Sequence, residues 1–450
     1  MPAASRARRC IWLLLLLPAL AAGCRKKTTP DLIIVSPHNK KIEAEFDRAF
    51  RLWHQRHFGW DVKIQWRDVG GTTSTTRFLL NQYRRADTSG IDVYFGGGSP
   101  DHRLLAARGC TVPVHLPPEI LSQLPRTIGG VRQYDPKGHW YGAAVSCFGI
   151  LYNAKLLKAK SLPIPRRWDD LTAPAMFGRI AAADATQSGS ARAAYEMIVQ
   201  SASDWPAGWA KLLKIFANCK RFARGSSDVV NDVANGDVLA GAAIDFYAYN
   251  QIALAGDDLG FAVVAGTTAF TPDPISLLKG APHRQMAQRF IEFVLSREGQ
   301  FLWCLPPGTP GGPKEHALYR QPIRRDVYRL CKGKMLSPLV DVFERSGDFK
   351  LDEEAASIRI SRLHGPLMKA AAMDSQAELR RAWKTILQAG QSDRAKALLK
   401  DFTALPADLA DEKTALETAK KLSDPKQREL ITGRWQRFFR RKYERIAAGS

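Results

Sequence analysis

Short apolar runs alternate with helical patterns in the first part of the chain, and this alternation constrains the fold more than any other feature. Leu32–Val35 is a continuous apolar run, which is typical of a strand buried on both faces. A polar loop and a helical repeat at 42–53 follow it, and the same order returns from Val62 and from Ile91. This order predicts an α/β domain with a largely parallel sheet, whose ligands would bind at the loops beyond the strands.

A second set of strands and helices extends to about residue 300. The apolar stretch 143–152 predicts a strand long enough to pass between two domains. Further strands are predicted at 179–183, 239–244 and 261–266, and further helices at 191–200, 229–235 and 283–296. A chain of 450 residues is long enough for two or three domains.

The first 24 residues have the pattern of an export signal. Three arginines precede an apolar run at 11–22, and Ala22 and Gly23 precede Cys24. Twelve apolar residues are too few for a membrane span, which needs about 20. We therefore predict a signal peptide at 1–23, a tether at 24–30, and a periplasmic protein anchored to the bacterial cell membrane by a lipid on Cys24.

Charge and cysteine content limit the partners. The net charge of +22 would suit nucleic acid, but export argues against that partner and leaves anionic lipid or an anionic solute. The spacing of the other cysteines of the mature chain fits neither a zinc motif nor a CxxC redox pair. Their disulfide state stays open for Cys110, Cys147, Cys219, Cys304 and Cys331.

Several motifs between residues 31 and 330 resemble one family. They are Tyr141-Gly142 with Tyr152-Asn153, Asp273-Pro274-Ile275, Leu278 to Pro282, Leu295 to Gln300, and Pro322 to Val327. This part of the chain resembles the type 2 periplasmic solute-binding proteins of ABC importers, in the branch that includes ferric-iron binders.

The resemblance implies a two-lobed α/β fold whose lobes close over a small-molecule solute. It also implies that the protein delivers this solute to the permease of an ABC transporter in the membrane. It implies a first lobe at 31–140 plus 262–330 and a second lobe at 141–261. Residues 331–450 fall outside the resemblance, and their helical patterns predict a helical C-terminal extension. We expect a monomer.

Hydroxyl- and glycine-rich loops are the best candidates for solute contacts. Ser188-Gly189-Ser190 lies between a predicted strand and a predicted helix, where amides and hydroxyls would bind an anion, or where Ser188 would simply cap the helix. In the ferric binders, the resemblance implies, the matching segment holds the anion that accompanies iron. The predicted contacts are Ser36, His38, Asn39, Gly71, Thr72, Thr73, Gly97, Gly98, Ser188, Gly189, Ser190, Asp245 and Tyr247.

The solute is predicted to be an organic anion bearing phosphate or carboxylate, with ferric ion as the alternative. The resemblance implies two adjacent tyrosines as iron ligands, whereas this chain has Tyr247 and Tyr249 separated by one residue, with His38 as a further candidate. If 244–249 is a strand, the two tyrosines share a face. Asp245 would bind an ammonium or hydroxyl group of the solute, or cap the next helix.

No catalytic or cofactor motif stands out. The sequence contains no Gly-x-Ser-x-Gly elbow, Walker loop or His-Glu-x-x-His pattern, so we predict neither enzymatic activity nor a cofactor. One rival hypothesis is an exported enzyme that uses His38 and Asp245 as acid and base. Another is a membrane-surface scaffold with the C-terminal helices as its working part. The basic aromatic helix at 424–448 would lie on a membrane surface or contact a partner, or would pack its aromatic side chains on the body of the protein.

Overall fold

A computed structural model describes residues 30–264, 266–336, 339, 341–345 and 349–449, so the predicted signal peptide and Cys24 lie outside the described residues. The strands are β1 Leu32–Val35, β2 Ile64–Arg67, β3 Val93–Phe95, β4 Thr111–Val112, β5 Thr127–Ile128, β6 Val131–Arg132, β7 Tyr141–Ser146, β8 Phe148–Asn153, β9 Ile180–Ala183, β10 Cys219–Ala223, β11 Ala240–Ile244, β12 Leu259–Val263, β13 Thr271–Leu278 and β14 Gln321–Pro322. The helices are α1 Lys40–Phe58, α2 Thr72–Tyr83, α3 Ser99–Ala107, α4 Pro118–Leu121, α5 Ala154–Ala159, α6 Gly189–Gln200, α7 Trp205–Asn218, α8 Ser226–Ala234, α9 Asp245–Ala255, α10 Arg284–Leu295, α11 Arg297–Cys304, α12 Arg325–Leu330, α13 Val342–Arg345, α14 Glu353–Ile358, α15 His364–Met368, α16 Gln376–Gln388, α17 Asp393–Thr403, α18 Glu412–Lys421 and α19 Pro425–Ala447.

The first sheet forms the centre of one lobe. Its strand order is β14-β7-β13-β3-β1-β2, and β4 also pairs with β13. β1 is parallel to β2 and β3 and is buried along its whole length, as its apolar sequence predicts. Helices α1, α10 and α11 pack an aromatic core against this sheet, with Phe46, Phe50, Phe293 and Trp303 among its members.

The second sheet forms the centre of the other lobe. Its strand order is β10-β9-β11-β8-β12, in which β9 is parallel to β10 and β11, while β8 is antiparallel to β11 and β12. Helices α6 and α8 contact the strands of this sheet, and α7 packs on α6. Helix α6 follows β9 and α8 follows β10, so the loops that lead into these two helices lie at the same edge of the sheet.

The predicted continuous strand at 143–152 is interrupted at Cys147. The chain leaves the first sheet at the end of β7 and enters the second sheet at the start of β8. Asp245 supports this crossing, because its backbone N–H donates to Cys147 O at 3.0 Å and its carboxylate accepts the Cys147 N–H at 3.2 Å. The chain returns between β12 and β13. The predicted lobe limits at residues 140 and 261 therefore place β7, which pairs in the first sheet, in the second lobe. They also divide β12, which pairs in the second sheet, between the two lobes.

The C-terminal helices pack on the second lobe. Trp435, Phe439 and Tyr443 of α19 are buried in one hydrophobic core with Trp209 and Phe216 of α7. The basic aromatic helix thus packs its aromatic side chains on the body of the protein, as one of the sequence hypotheses expects. None of the helices within the described ranges combines the length and apolar content needed to cross a membrane. No disulfide joins the five cysteines that the structure describes, and all five are buried.

Candidate functional site

A cavity of about 520 Å³ lies between the two sheets. Its walls come from the loops after β1, β2 and β3, from the loops after β9, β10 and β11, and from the C-terminal extension. The predicted contacts that line it are His38, Gly71, Thr72, Gly97, Gly98, Ser188, Gly189, Ser190 and Tyr247.

Helices α2, α3, α6 and α8 all begin at this cavity. Their N-cap residues are Gly71, Gly98, Ser188 and Gly225, and each of these lines the cavity. The first N–H groups of a helix have no partner within the helix, and the helix dipole makes that end positive. A glycine cap supplies no side chain to satisfy them. The arrangement therefore favours an anion inside the cavity.

The loops of the two lobes touch across the cleft. Arg192 of α6 donates a hydrogen bond to Thr73 Oγ1 at 2.7 Å, so the predicted contact Thr73 joins the lobes and does not line the cavity. Gly189 lies against Thr72, and a Cβ atom added at Gly189 would stand only 3.1 Å from Thr72 Cβ. The lobes are in contact on this side of the cavity.

Ser188 both caps α6 and lines the cavity. Its Oγ accepts the Ala191 N–H at 3.2 Å, as an N-cap does, and it lies 3.0 Å from Ser226 Oγ of the neighbouring helix start. Ser226 also lines the cavity. The two hydroxyls therefore form one polar edge between α6 and α8.

His38, Asp273 and Arg320 form a buried charged group on the cavity wall. Asp273 forms an ion pair with Arg320 and lies 2.9 Å from His38 Nε2, while Arg320 also donates to Ser146 Oγ at 3.0 Å. Burial alone would raise the pKa of Asp273, but the charge of Arg320 and the bond to His38 outweigh burial and hold that pKa below its usual range. Asp273 thus stays ionised.

Each member of this group keeps an unused polar atom. Within the described part of the chain, His38 Nδ1, Asp273 Oδ1 and Arg320 Nε are buried and have no hydrogen-bond partner. Buried polar atoms are nearly always paired in folded proteins. Because the three residues line the cavity, we regard this wall as a candidate binding place for polar groups of a solute.

Three predicted contacts lie away from the cavity because they stabilise local backbone. Asn39 caps α1 by accepting the Ile42 N–H, and Ser36 accepts the His38 N–H. Asp245 is fully buried where α9 begins and supports the Cys147 crossing. Burial raises the pKa of Asp245 to about 6, against the lowering effects of Arg320 and of the backbone hydrogen bonds. The N-cap position of α9 is Ile244, so Asp245 does not cap the helix, and its carboxylate instead accepts the Phe246 N–H of the first turn at 2.8 Å.

The predicted pairing of Tyr247 with Tyr249 is wrong because residues 245–255 form a helix. Residues two apart on a helix point in different directions, about 200° apart. Tyr247 lines the cavity, whereas the Tyr249 ring packs against Phe261 with centroids 5.4 Å apart. Burial raises the pKa of Tyr247, which opposes the tyrosinate that iron needs. Among the described residues, no three His, Cys, Asp or Glu side chains come together as a metal site would require.

Sequence reasoning missed several cavity residues. Gly225-Ser226-Ser227 follows a strand and opens a helix, so the pattern that identified Ser188 could have identified it. Asp273 stands in a motif that carried the family resemblance but was not assigned to the site. Arg320 carries no local signal, since it meets His38 and Asp273 only through the fold.

Residues 104–323 match a family model described as "Bacterial extracellular solute-binding protein". This region is therefore similar to the bacterial extracellular solute-binding proteins. The chain is also similar to the phosphoglycerate transport regulatory protein PgtC of Salmonella typhimurium, at 33% identity over 157 residues. That match covers 35% of this chain and 38% of PgtC, so the chain spans well under half the length of this relative.

Solved structures show the same fold as about three quarters of this chain. The periplasmic binding protein AfuA from Actinobacillus pleuropneumoniae, with fructose-6-phosphate bound, is 19% identical with a TM-score of 0.59, covering 78% of this chain and 97% of AfuA. The periplasmic binding protein P5PA is 18% identical with a TM-score of 0.58, covering 74% and 95%. Iron-bound HitA from Pseudomonas aeruginosa is 19% identical with a TM-score of 0.53, covering 73% and 97%. The predicted two-lobed α/β fold with a helical C-terminal region is confirmed.

Proposed function

We propose that this protein captures a phosphate-bearing organic solute between its lobes and delivers it to the permease of an ABC importer. The observation that carries the proposal is the convergence of α2, α3, α6 and α8 on one cavity. Several helix N-termini directed at one point make a site for a compact, highly charged anion such as phosphate.

The rest of the cavity supports an organic group attached to that anion. A volume of about 520 Å³ is within the range of small-molecule sites and leaves space beyond the helix N-termini. The unused atoms of His38, Asp273 and Arg320 would bind polar groups there. AfuA is described with fructose-6-phosphate bound, and PgtC is named for phosphoglycerate transport, so relatives with this fold handle phosphate esters.

Ferric ion is the less favoured solute. Tyr247 is the one tyrosine of the predicted pair that reaches the cavity, and its raised pKa disfavours the ionised ligand. A ferric complex of tyrosinate would colour the protein. A coloured protein that loses its colour on Tyr247→Phe would restore the iron hypothesis.

Export and anchoring complete the proposal. The pattern ending at Cys24 supports a periplasmic protein held at the membrane by lipid. We expect Cys24→Ser to move the protein from the membrane fraction to the soluble fraction, and a variant that stays with the membrane would contradict the anchor. We propose no enzymatic activity, and solute recovered unchanged after prolonged incubation would agree.

A sensory role is the second candidate function, because PgtC is named as a transport regulatory protein. A sensor would report the bound solute to a membrane partner that controls transport. Uptake of labelled solute separates the two functions when the transport genes are expressed from an unregulated promoter. Loss of uptake on deletion of this protein supports import, and unchanged uptake supports sensing.

The binding experiment uses calorimetry with fructose 6-phosphate, 3-phosphoglycerate, inorganic phosphate and ferric citrate. We expect at least one phosphate ester to bind more tightly than ferric citrate. The variant Ser188→Gly with Ser190→Ala removes two hydroxyls while glycine still allows the helix to start. Hydrogen bonds to charged groups are worth about 1.5–3 kcal/mol, so binding should weaken by at least about ten-fold.

Ser201→Ala is the matched control, because Ser201 ends the same helix and its hydroxyl donates to Ile198 O. It should leave the affinity unchanged. If wild-type protein binds none of the phosphate compounds, or if the double variant binds them as tightly as wild type, the proposal is wrong.

A further inference from the structure

The C-terminal extension supplies one wall of the solute cavity. Its side chains that line the cavity are Leu351, Glu353, Ala356, Ser357 and Ile360. We call residues 351–360 the outer wall. The family model ends at residue 323, so the outer wall lies outside the matched region.

The outer wall is held by both lobes. On the second lobe, Arg359 forms an ion pair with Glu196 of α6, and the Asp352 N–H donates to Gln200 Oε1 at 2.8 Å. On the first lobe, the Glu353 carboxylate accepts the Arg132 N–H and lies 3.9 Å from Arg103 of α3. Glu353 thus supplies polar contacts between the outer wall and the first lobe.

The position of the outer wall along α3 and α6 fixes which part of a solute it can meet. Arg103 lies four residues after Ser99, where α3 begins, and Met197 lies eight residues after Gly189, where α6 begins. At 1.5 Å per residue, they are about 6 Å and about 12 Å from the helix starts that favour the anion. The outer wall contacts α3 near Arg103, and Leu351 packs on the cluster that contains Met197. It therefore faces the end of the solute that is remote from the phosphate.

We propose that the outer wall determines solute specificity, and that Glu353 and Ser357 contact the hydroxyl groups of a sugar phosphate. The carboxylate of Glu353 accepts hydrogen bonds and repels a second anionic group, and the Ser357 hydroxyl both donates and accepts. The inference rests on the proposed function. It adds a substrate class, phosphate esters with an uncharged polyhydroxyl end, and assigns its recognition to the extension.

The test compares fructose 6-phosphate with inorganic phosphate, which has no remote end. Ser357→Leu places a larger, apolar side chain on the outer wall. We expect calorimetry to give at least about ten-fold weaker binding of fructose 6-phosphate, with inorganic phosphate changed by less than about two-fold. Ser361→Leu is the control, because Ser361 stands one turn further along and does not line the cavity. It should change neither affinity, and thermal unfolding checks that both variants fold.

Glu353→Ala gives an independent test in case Ser357→Leu fails to fold. Loss of Glu353 removes the polar bonds that hold the outer wall to the first lobe, so fructose 6-phosphate should dissociate about ten-fold faster in stopped-flow fluorescence. Glu354→Ala removes the same charge from an exposed neighbouring position and should not alter the rate. Equal effects of the Glu353 and Glu354 variants, or equal weakening of both compounds by Ser357→Leu, would overturn the inference. If wild-type protein binds neither compound, the proposed function itself fails.

Discussion

The hydrophobic cores of the two lobes are covered by different parts of the chain. The aromatic core of the first lobe, which includes Phe46, Phe50 and Trp303, is built largely from helices that belong to the sheet's own α/β pattern. The core of the second lobe continues into the extension, where Trp383 Nε1 donates to Asn218 Oδ1 at 2.7 Å and Trp435 is fully buried. The second lobe is therefore complete only with the C-terminal helices.

A buried charged group strengthens the junction between the second lobe and the C-terminal extension. Glu196 of α6 accepts hydrogen bonds from Arg359 and lies against His364, and all three side chains are almost fully buried. Arg359 also pairs with Glu412, which is about half exposed. Charges buried in this way are costly when one partner is removed. The extension is thus tied to the second lobe by polar bonds as well as by apolar packing.

The largest expected effect is that of Trp435→Ala. A buried tryptophan replaced by alanine leaves a cavity and costs about 3–5 kcal/mol. Because the core is shared, hydrogen exchange should increase in α7 and α16 together, while amides of β1 and β3 keep their protection. Leu430→Ala on the exposed face of the same helix should leave stability nearly unchanged. Uniform loss of protection across both lobes would show that the two cores are not separate.

The next largest effect is the loss of stability expected from Glu196→Gln, and this loss depends on pH. Burial alone would raise the pKa of Glu196, but His364 and Arg359 outweigh burial and lower it to about 2. The stabilisation that ionised Glu196 gives the folded protein is therefore present above the ordinary glutamate pKa near 4.5 and is lost as the pH falls toward about 2. Glu196→Gln should lower the free energy of unfolding by about 3 kcal/mol at pH 7 and flatten its fall in acid.

Glu412→Gln is the matched control for Glu196, since Glu412 bonds the same arginine from a half-exposed position. Solvent screens such a pair, so its loss should cost less than about 1 kcal/mol. Denaturant unfolding between pH 7 and pH 3 measures both variants. If the two substitutions cost the same, the junction is not governed by the buried carboxylate.

The smallest effect is expected on the basic face of α19. Arg437 and Arg441 are exposed, and substitutions at such positions usually change stability by less than about 0.5 kcal/mol. Arg437→Gln with Arg441→Gln should therefore unfold at the same denaturant concentration as wild type. A clear loss of stability would mean that the junction depends on this face as well as on the buried one.

The same contrast explains what the sequence could predict. Strands such as Leu32–Val35 are buried on both faces and are visible as apolar runs, so the α/β pattern was readable. Helical periodicity in α19 indicates that one face is buried, but it does not say what covers that face. Three-dimensional packing was needed to place Trp435 in the same core as the aromatic side chains of α7.

In the same way, only part of the candidate site could be predicted from the sequence. Ser188-Gly189-Ser190 was predicted because its chemistry is local, in a loop between strand and helix. The group formed by His38, Asp273 and Arg320 comes from three distant parts of the chain, so no residue spacing in the sequence predicts it. Asp245 and Tyr249 were misassigned because an apolar stretch before a helix can be taken for a continuing strand.

The glycine caps of α2, α3 and α8 have a consequence for the adaptability of the cavity. The groups that favour an anion there are backbone amides, which no substitution of a neighbouring side chain can delete. Side chains on the remaining walls are free to vary without loss of this charge preference. Such a cavity could acquire a new cargo through a few substitutions in the outer wall while it continues to hold the same phosphate.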